Sequence, residues 1–259
     1  MSGPALLLGQ AIGAYQERKP DPSLCAHFAS VWFHSAGADA RGQSAIVPDG
    51  CADLIWFDGT LWIAGPDRQA KIECVVPGAT VLGLRFQPGA ASAWLRTPIC
   101  DFGDARIPLE AFWGAAALRL AAWIGEAAGP ADAARRLEAG LKDRLPQAGA
   151  ADTPAAAIFC LILARSDYSV PLHDELSDAF GLSERTLRRR CLEGFGYGPK
   201  RLDRILRFQQ FLRLASSSHS TGTADLAAGA GYADQPHLVR EARHLAGLTP
   251  NAIRQQLAL

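Results

Sequence analysis

The chain is poor in the residues that hold metals and redox centres. Six cysteines are spread over 259 residues, and the closest two, Cys51 and Cys74, are 23 positions apart. That spacing excludes a C-x-x-C redox pair or zinc knuckle. The thiols are expected to be reduced and mostly buried, with redox or electrophile sensing by one of them as the alternative. His27 and His34 are the only histidines in the first 150 residues, too few for the His-plus-carboxylate cluster of a metal-binding barrel. G-x-S-x-G and G-x-x-x-x-G-K-[ST] are missing too, which removes a nucleophile elbow and a phosphate loop. No enzymatic activity, cofactor or metal is expected. No run of eighteen residues is free of charge, which argues against a membrane-spanning helix. The opening MSGPALLLGQAIGAYQERK has no basic leader and reads as cytoplasmic rather than secreted.

Charge of one sign is also missing, with 26 Lys+Arg against 26 Asp+Glu. The neutrality is a sum of unlike parts. Residues 172–259 hold 12 basic and 9 acidic side chains, and the remainder holds 14 and 17. Between positions 183 and 215, nine cations meet only Glu184, Glu193 and Asp203. Electrostatic steering depends on where charge sits, so overall neutrality does not exclude nucleic acid. All six tryptophans (Trp32, Trp56, Trp62, Trp94, Trp113 and Trp123) lie in the first half. A chain of this length that is 49% hydrophobic and 20% charged suits two globular domains. The composition shift places a β-rich domain at 1–150, a helical linker at 151–171 and a basic domain at 172–259.

From His27 to Phe86 the apolar runs are short and rich in Val, Ile, Trp and Phe: HFASVWFH, SAIV, ADLIWF, LWIA, AKIECVV and TVLGLRF, separated by PDG, DGT, GPDRQ and PGA. Such spacing predicts an antiparallel barrel or sandwich, with Asp58-Gly59 as its clearest hairpin turn. Asp49 in Pro-Asp-Gly is expected to shape a turn. Alternation along 53–57 puts Leu54 and Trp56 on one face and Asp53, Ile55 and Phe57 on the other. The tryptophan-rich half suggests a cavity for a small apolar or aromatic effector, with Asp53, Trp56, Trp62 and Phe86 as candidate lining residues. After Pro88 the periodicity becomes helical in ASAWL, PLEAFWGAAALRLAAWIGEAA and PADAARRLEAGLKDRL, and again over 154–164.

Residues 172–200 are the most informative. Leu172, Leu176 and Phe180 recur every four residues, Gly181 permits a sharp turn, and Ser183 is a good N-cap for a second helix. Arg185, Arg188 and Arg189 then share one outward face, where Arg can bond a guanine edge. The construction repeats 51 residues later, with Leu226, Ala227, the Gly231 turn, the Asp234 cap and a helix bearing Gln235, His237 and Arg240. Pro199 and Pro250 follow the two units. The intervening stretch from Pro199 reads as one amphipathic helix, with Arg190, Lys200, Arg201 and Arg204 available for phosphates. Gly194-Phe195-Gly196-Tyr197-Gly198 follows a helix, so it reads as a helix stop rather than a phosphate loop. His244 reads as a surface residue, and 215–223 as a serine-rich flexible connector.

These residues resemble the DNA-binding domain of AraC/XylS-type bacterial transcription regulators. In the first unit the match runs through Leu176, Gly181, Ser183, Arg185, Leu187, Arg189, Gly196 and Pro199. In the second it runs through Ala227, Gly231-Tyr232, Asp234, His237-Leu238, Arg240, Gly247, Pro250 and Arg254. VPDGCADLIW from Val47, AGPDRQA from Ala64 and LGLRFQPGAASAWL from Leu82 resemble a sensor domain of some members. Cys191 and Ala242 stand where the family usually has a core Phe, so bulk from Phe195, Phe208 or Phe211 is expected to compensate.

The fold class expected is α+β: an N-terminal antiparallel β barrel or sandwich with following helices, then an all-α domain of two helix-turn-helix units joined by a long helix. The resemblance implies a sequence-specific regulator of transcription whose partner is double-stranded DNA. It also implies contact with RNA polymerase if the protein activates, and a homodimer formed through the sensor half. No membrane partner is expected. The alternative is a small-molecule sensor whose helix-turn-helix units make protein contacts only.

Overall fold

The computed structural model describes residues 6–8, 13–40, 42–102, 104–217 and 221–257. Its strands are β1 (Leu6–Leu8), β2 (Ala14–Arg18), β3 (Phe28–Ser35), β4 (Gln43–Ile46), β5 (Asp53–Phe57), β6 (Thr60–Ala64), β7 (Lys71–Cys74), β8 (Thr80–Phe86) and β9 (Ile107–Pro108). Helices α1 (Ala91–Leu95), α2 (Glu110–Trp113), α3 (Ala115–Gly125) and α4 (Pro130–Arg144) follow. The C-terminal part comprises α5 (Thr153–Ala164), α6 (Leu172–Phe180), α7 (Glu184–Phe195), α8 (Pro199–Ser217), α9 (Thr223–Gly229), α10 (Gln235–Ala246) and α11 (Pro250–Leu257). The class is α+β, as expected. The serine-rich connector falls partly on residues 218–220, outside the described residues.

Six strands form an antiparallel sheet in the order β2-β3-β8-β5-β6-β9, and a smaller sheet has the order β1-β4-β7 with β1 and β4 parallel. Asp58 and Gly59 both have positive φ, 47° and 73°, as a two-residue turn between β5 and β6 requires. Registry aligns Val31, Leu84, Leu54 and Ile63 on one face of the large sheet, all of them fully buried. That face is covered by helices. Trp94, Trp113, Ile124, Leu137 and Leu141 join it in a single cluster. The opposite face carries Trp32, Asp53, Ile55, Trp62 and Arg85, all half-buried. Trp32 lies over Gly83, where a Cβ would stand 2.2 Å from the indole. Glycine at that one position keeps the slot open.

A second core gathers α5 to α11 around Phe195, Phe208 and Phe211, all fully buried. Cys191 and Ala242 are fully buried in the same cluster as these rings. Ile158 and Phe159 belong to this core, so α5 is packed into the C-terminal helices and is more than a connector. Asp203 sits among the buried residues of α8 and must be paired to stay charged there. Arg165, at the end of α5, answers it at 3.3 Å and also reaches Glu175 of α6 at 2.7 Å, its own side chain only 4% exposed. Arg207 binds the other oxygen of Asp203 at 2.5 Å. The Tyr168 ring lies under both guanidiniums, 4.2 Å from Arg207 and 5.0 Å from Arg165.

The two cores meet along a tight seam. Gly50, at φ +85°, turns the β4–β5 loop against Phe159 and Leu202, leaving under 3.2 Å for a Cβ at either contact. The Gln209 amide donates to the Pro48 carbonyl at 2.6 Å. Asp49 does shape the turn, accepting from the Cys51 N–H at 2.9 Å, and it also pairs with Arg85 at the same distance. Expected cysteine burial is corrected. Only Cys191 is buried, Cys51 is half-buried, and Cys25, Cys74, Cys100 and Cys160 are exposed. Cys74 ends an edge strand and Cys160 lies on the outer side of α5, positions that strand and helix patterning alone does not resolve.

Two stability predictions arise here. Arg165→Ala leaves Asp203 and Glu175 short of a partner and is expected to cost about 3–5 kcal/mol in urea unfolding. Asp67, beside the seam, has its carboxyl pushed up to about 6, mainly by burial and further by Asp104, with Lys71 opposing. Such a group holds its proton more tightly when folded, so stability falls as pH climbs from about 4 through about 6. Asp67→Asn is therefore expected to raise Tm at pH 7.5, and the gain should shrink as pH is lowered to 4.5.

Candidate nucleic-acid interface

Local chemistry sets both helix-turn-helix units. The first helix, α6, stops at Gly181 in the left-handed region with φ 62°. Ser183 then caps α7, its hydroxyl accepting from the Thr186 N–H at 3.3 Å. In the second unit the turn is made by Gly231 at φ 78°, and Asp234 caps α10 by accepting from the His237 N–H at 2.6 Å. Pro236 occupies the first turn of α10, where no N–H is required. Leu187 and Leu238 anchor the two helices in the core with almost no exposure. Gly196 and Gly247 end them, both at positive φ, and the glycine-rich run is a helix stop as expected.

Anchoring Leu187 inward turns Arg185, Arg188 and Arg189 outward, and all three are exposed. Arg189 pairs with Glu193 one turn on at 3.2 Å, with its side chain 62% exposed, a contact cheap to exchange for another partner. On α10, Gln235 and Arg240 are exposed. His237 is half-buried, packed edge-on against Tyr232 at 5.2 Å, so its ring orientation is restricted.

The four phosphate candidates separate into two pairs. Lys200 is exposed and Arg201 half-buried, at the start of α8. Arg190 instead turns inward to Asp152, the N-cap of α5, at 3.5 Å. Arg204 is locked to Glu241 by two hydrogen bonds of 2.9 and 3.0 Å, a fork that ties α8 to α10. The role of Arg165 was missed because it lies outside the repeat. Its signal was Asp203, a carboxylate at a position the amphipathic pattern makes apolar.

The candidate effector residues do not line one surface. Asp53 and Trp62 lie on the half-buried face of the large sheet, whereas Trp56 and Phe86 lie on the helix-covered face. Phe86 is 2% exposed, with its ring 4.6 Å from Phe28. Sequence alternation separates residues 53 and 56; registry between distant strands separates 62 and 86. On the half-buried face, Asp53 accepts from the Trp32 indole N–H at 2.9 Å and pairs with Arg85 at 3.4 Å. Burial pushes the Asp53 carboxyl up, while Arg85 pulls it down. Tyr15 stacks on Trp32 at 6.1 Å, extending an aromatic wall beside this ion pair. A separate open groove of about 460 Å³ lies between α5, α8 and α9, bordered by Cys160, Tyr168 and Arg213. None of the four effector candidates borders it. His244 is exposed, as expected of a surface residue, and lies 3.4 Å from Gln69 of the N-terminal domain.

Comparison with known proteins agrees with this geometry. Residues 176–256 match a family described as helix-turn-helix domain, and residues 16–108 match a domain family of unknown function, DUF6597. No curated protein matches the chain in sequence. Among solved structures, a point variant of ToxT from Vibrio cholerae in its apo form has 9% identity over 93% of this chain and 100% of its own, with a TM-score of 0.50. ToxT bound to an unsaturated fatty acid has 11% identity over 87% of this chain and 94% of its own, with a TM-score of 0.45. Residues 176–256 therefore form an AraC-type helix-turn-helix domain, carried behind an N-terminal β-rich domain in the order found in the ToxT fold.

Proposed function

We propose that the chain is a sequence-specific regulator of transcription that binds double-stranded DNA through α7 and α10. The carrying observation is the pair of capped, core-anchored helices with exposed Arg185, Arg188 and Arg189 on one and Gln235 and Arg240 on the other. These side chains read base edges in successive major-groove segments, with His237 at the border of the second. Lys200 and Arg201 contact the backbone. Arg190 and Arg204, held in ion pairs, shape the domain around the reading helices. The working unit is 172–259 together with α5, and 1–150 is the regulatory part.

The N-terminal domain responds to a small apolar or aromatic effector on the sheet face bearing Tyr15, Trp32, Ile55, Trp62 and Asp53. Support comes from the concentration of half-buried aromatic surface around one ion pair, a mixture suited to holding and orienting a ligand. Homodimerisation through this domain and contact with RNA polymerase complete the regulatory scheme, which acts in the cytoplasm and needs no catalysis.

A gel-shift titration of the purified protein against its own upstream DNA at two salt concentrations tests the reading. Saturable binding that weakens with salt is expected, and its absence leaves protein contacts as the role of the two units. Arg188→Ala and Arg240→Ala should each cost about 1–3 kcal/mol and relax base preference locally. Lys200→Ala should weaken all sequences equally and reduce the salt slope by about 1. Arg204→Ala should weaken binding with the salt slope unchanged, because its guanidinium serves Glu241 rather than a phosphate. Aromatic and aliphatic carboxylates should shift the tryptophan fluorescence of the wild type, and Trp32→Phe should diminish that signal.

A further inference from the structure

One loop of the N-terminal domain touches the ends of both reading helices. It spans residues 65–70, between β6 and β7. The Arg68 Nη2 donates to the Gly196 carbonyl at 2.9 Å, immediately past the end of α7. The Ala70 N–H donates to the Leu245 carbonyl at 2.8 Å, in the last turn of α10. Between them Gln69 Nε2 lies 3.4 Å from His244 Nδ1. Among the described residues, no other N-terminal segment is hydrogen-bonded to both helix ends.

The chemistry of these contacts suits a clamp. The last carbonyls of a helix have no partner within it, and the Leu245 oxygen is one of them. The negative end of the α7 dipole favours a cation, which Arg68 supplies. The loop is itself braced, since the Arg68 N–H donates to Asp104 Oδ1 at 2.5 Å. Gly65 and Pro66 are buried, and a Cβ at Gly65 would stand 2.9 Å from the Cys51 carbonyl oxygen. Trp62, on the half-buried sheet face, lies on the strand that runs directly into this loop.

We propose that residues 65–70 clamp the C-terminal ends of α7 and α10 at one separation, with Arg68 as the positioning residue through which the N-terminal domain sets the operator spacing the two helices accept. The proposal deepens the DNA-binding function stated above and rests on it. The core helix α8 fixes the separation from inside the domain, and the loop fixes it from outside. Base pairs step by about 3.4 Å along the duplex, so a small loss of restraint between the helices admits neighbouring spacings.

Two experiments on the full chain decide it. In hydrogen exchange without DNA, Arg68→Ala is expected to speed exchange about three- to tenfold, the factor for one lost hydrogen bond. The increase should occur at both 194–199 and 243–249, with β5 and β8 unchanged. A response confined to the α7 end, or none, overturns the clamp. In selection from a random duplex pool, the wild type should recover two motifs at a single separation. The double variant Arg68→Ala/Gln69→Ala should recover the same motifs over a wider range of separations. An unchanged separation overturns the positioning role. Failure of the wild type to enrich any motif refutes DNA binding and the spacing role with it, while the exchange experiment still decides the clamp.

Discussion

A carboxylate buried in an apolar helix face governs how the C-terminal half is assembled. Asp203 is 7% exposed within α8, and an ionised group there is tolerable only when its partners are fixed around it. Arg165 and Arg207 meet that requirement from opposite sides. Because Arg165 also binds Glu175, the start of the first helix-turn-helix unit is tied to the same point. Tyr168, held under both guanidiniums, abuts Gly231, where a Cβ would stand 1.9 Å from the ring. The turn of the second unit is thereby referred to the same network. Two units that repeat in sequence are thus oriented by residues outside the repeat.

Rigid docking of the N-terminal half follows from a different device. Gly89 faces Ala155, where an added Cβ would stand 2.6 Å away, and Gly194 packs against both. Small residues let helices α5 and α7 approach the loop after β8 closely enough to exclude intervening side chains. Polar contacts then select the alignment: Pro48 with Gln209, Arg68 with Gly196, Ala70 with Leu245. The half-buried face of the sheet joins this seam through Arg85, which pairs with Asp53 on the face and with Asp49 in the docking loop. A change at Asp53 therefore alters the electrostatics of the loop that contacts α8.

Local signals were legible and long-range ones were not. Helix stops at Gly181 and Gly196, caps at Ser183 and Asp234, and the Asp58-Gly59 hairpin depend on a few adjacent residues, and all formed where sequence chemistry placed them. The runs HFASVWFH, ADLIWF and TVLGLRF became β3, β5 and β8 within a residue or two. The strands β1, β2 and β9 escaped notice. β2 is exposed along its whole length, with the polar sequence AYQER, and β9 has only two residues. The exposed basic face of α7 was visible, because helical periodicity alone turns Arg185, Arg188 and Arg189 away from Leu187. Effector candidates fared differently, since a shared face across several strands depends on registry, which no local pattern encodes.

Ion pairing also revises what the charge distribution means. Of the nine cations between 183 and 215, Arg190, Arg204 and Arg207 face Asp152, Glu241 and Asp203. Counting charge along the chain overstates the field that a duplex would meet, because part of the basic stretch holds the domain together. The remaining cations Arg185, Arg188, Arg189, Lys200, Arg201 and Arg213 are fewer, and three of them lie on the exposed face of α7. With so few free cations, counterion release from a bound duplex would supply a modest, non-specific attraction. Discrimination between sequences would then have to come from a small number of base-edge contacts whose geometry is fixed by the fold. On the proposed function, that dependence on geometry gives the Arg204–Glu241 fork and the buried Asp203 network of α8 a part in recognition although neither presents a free cation.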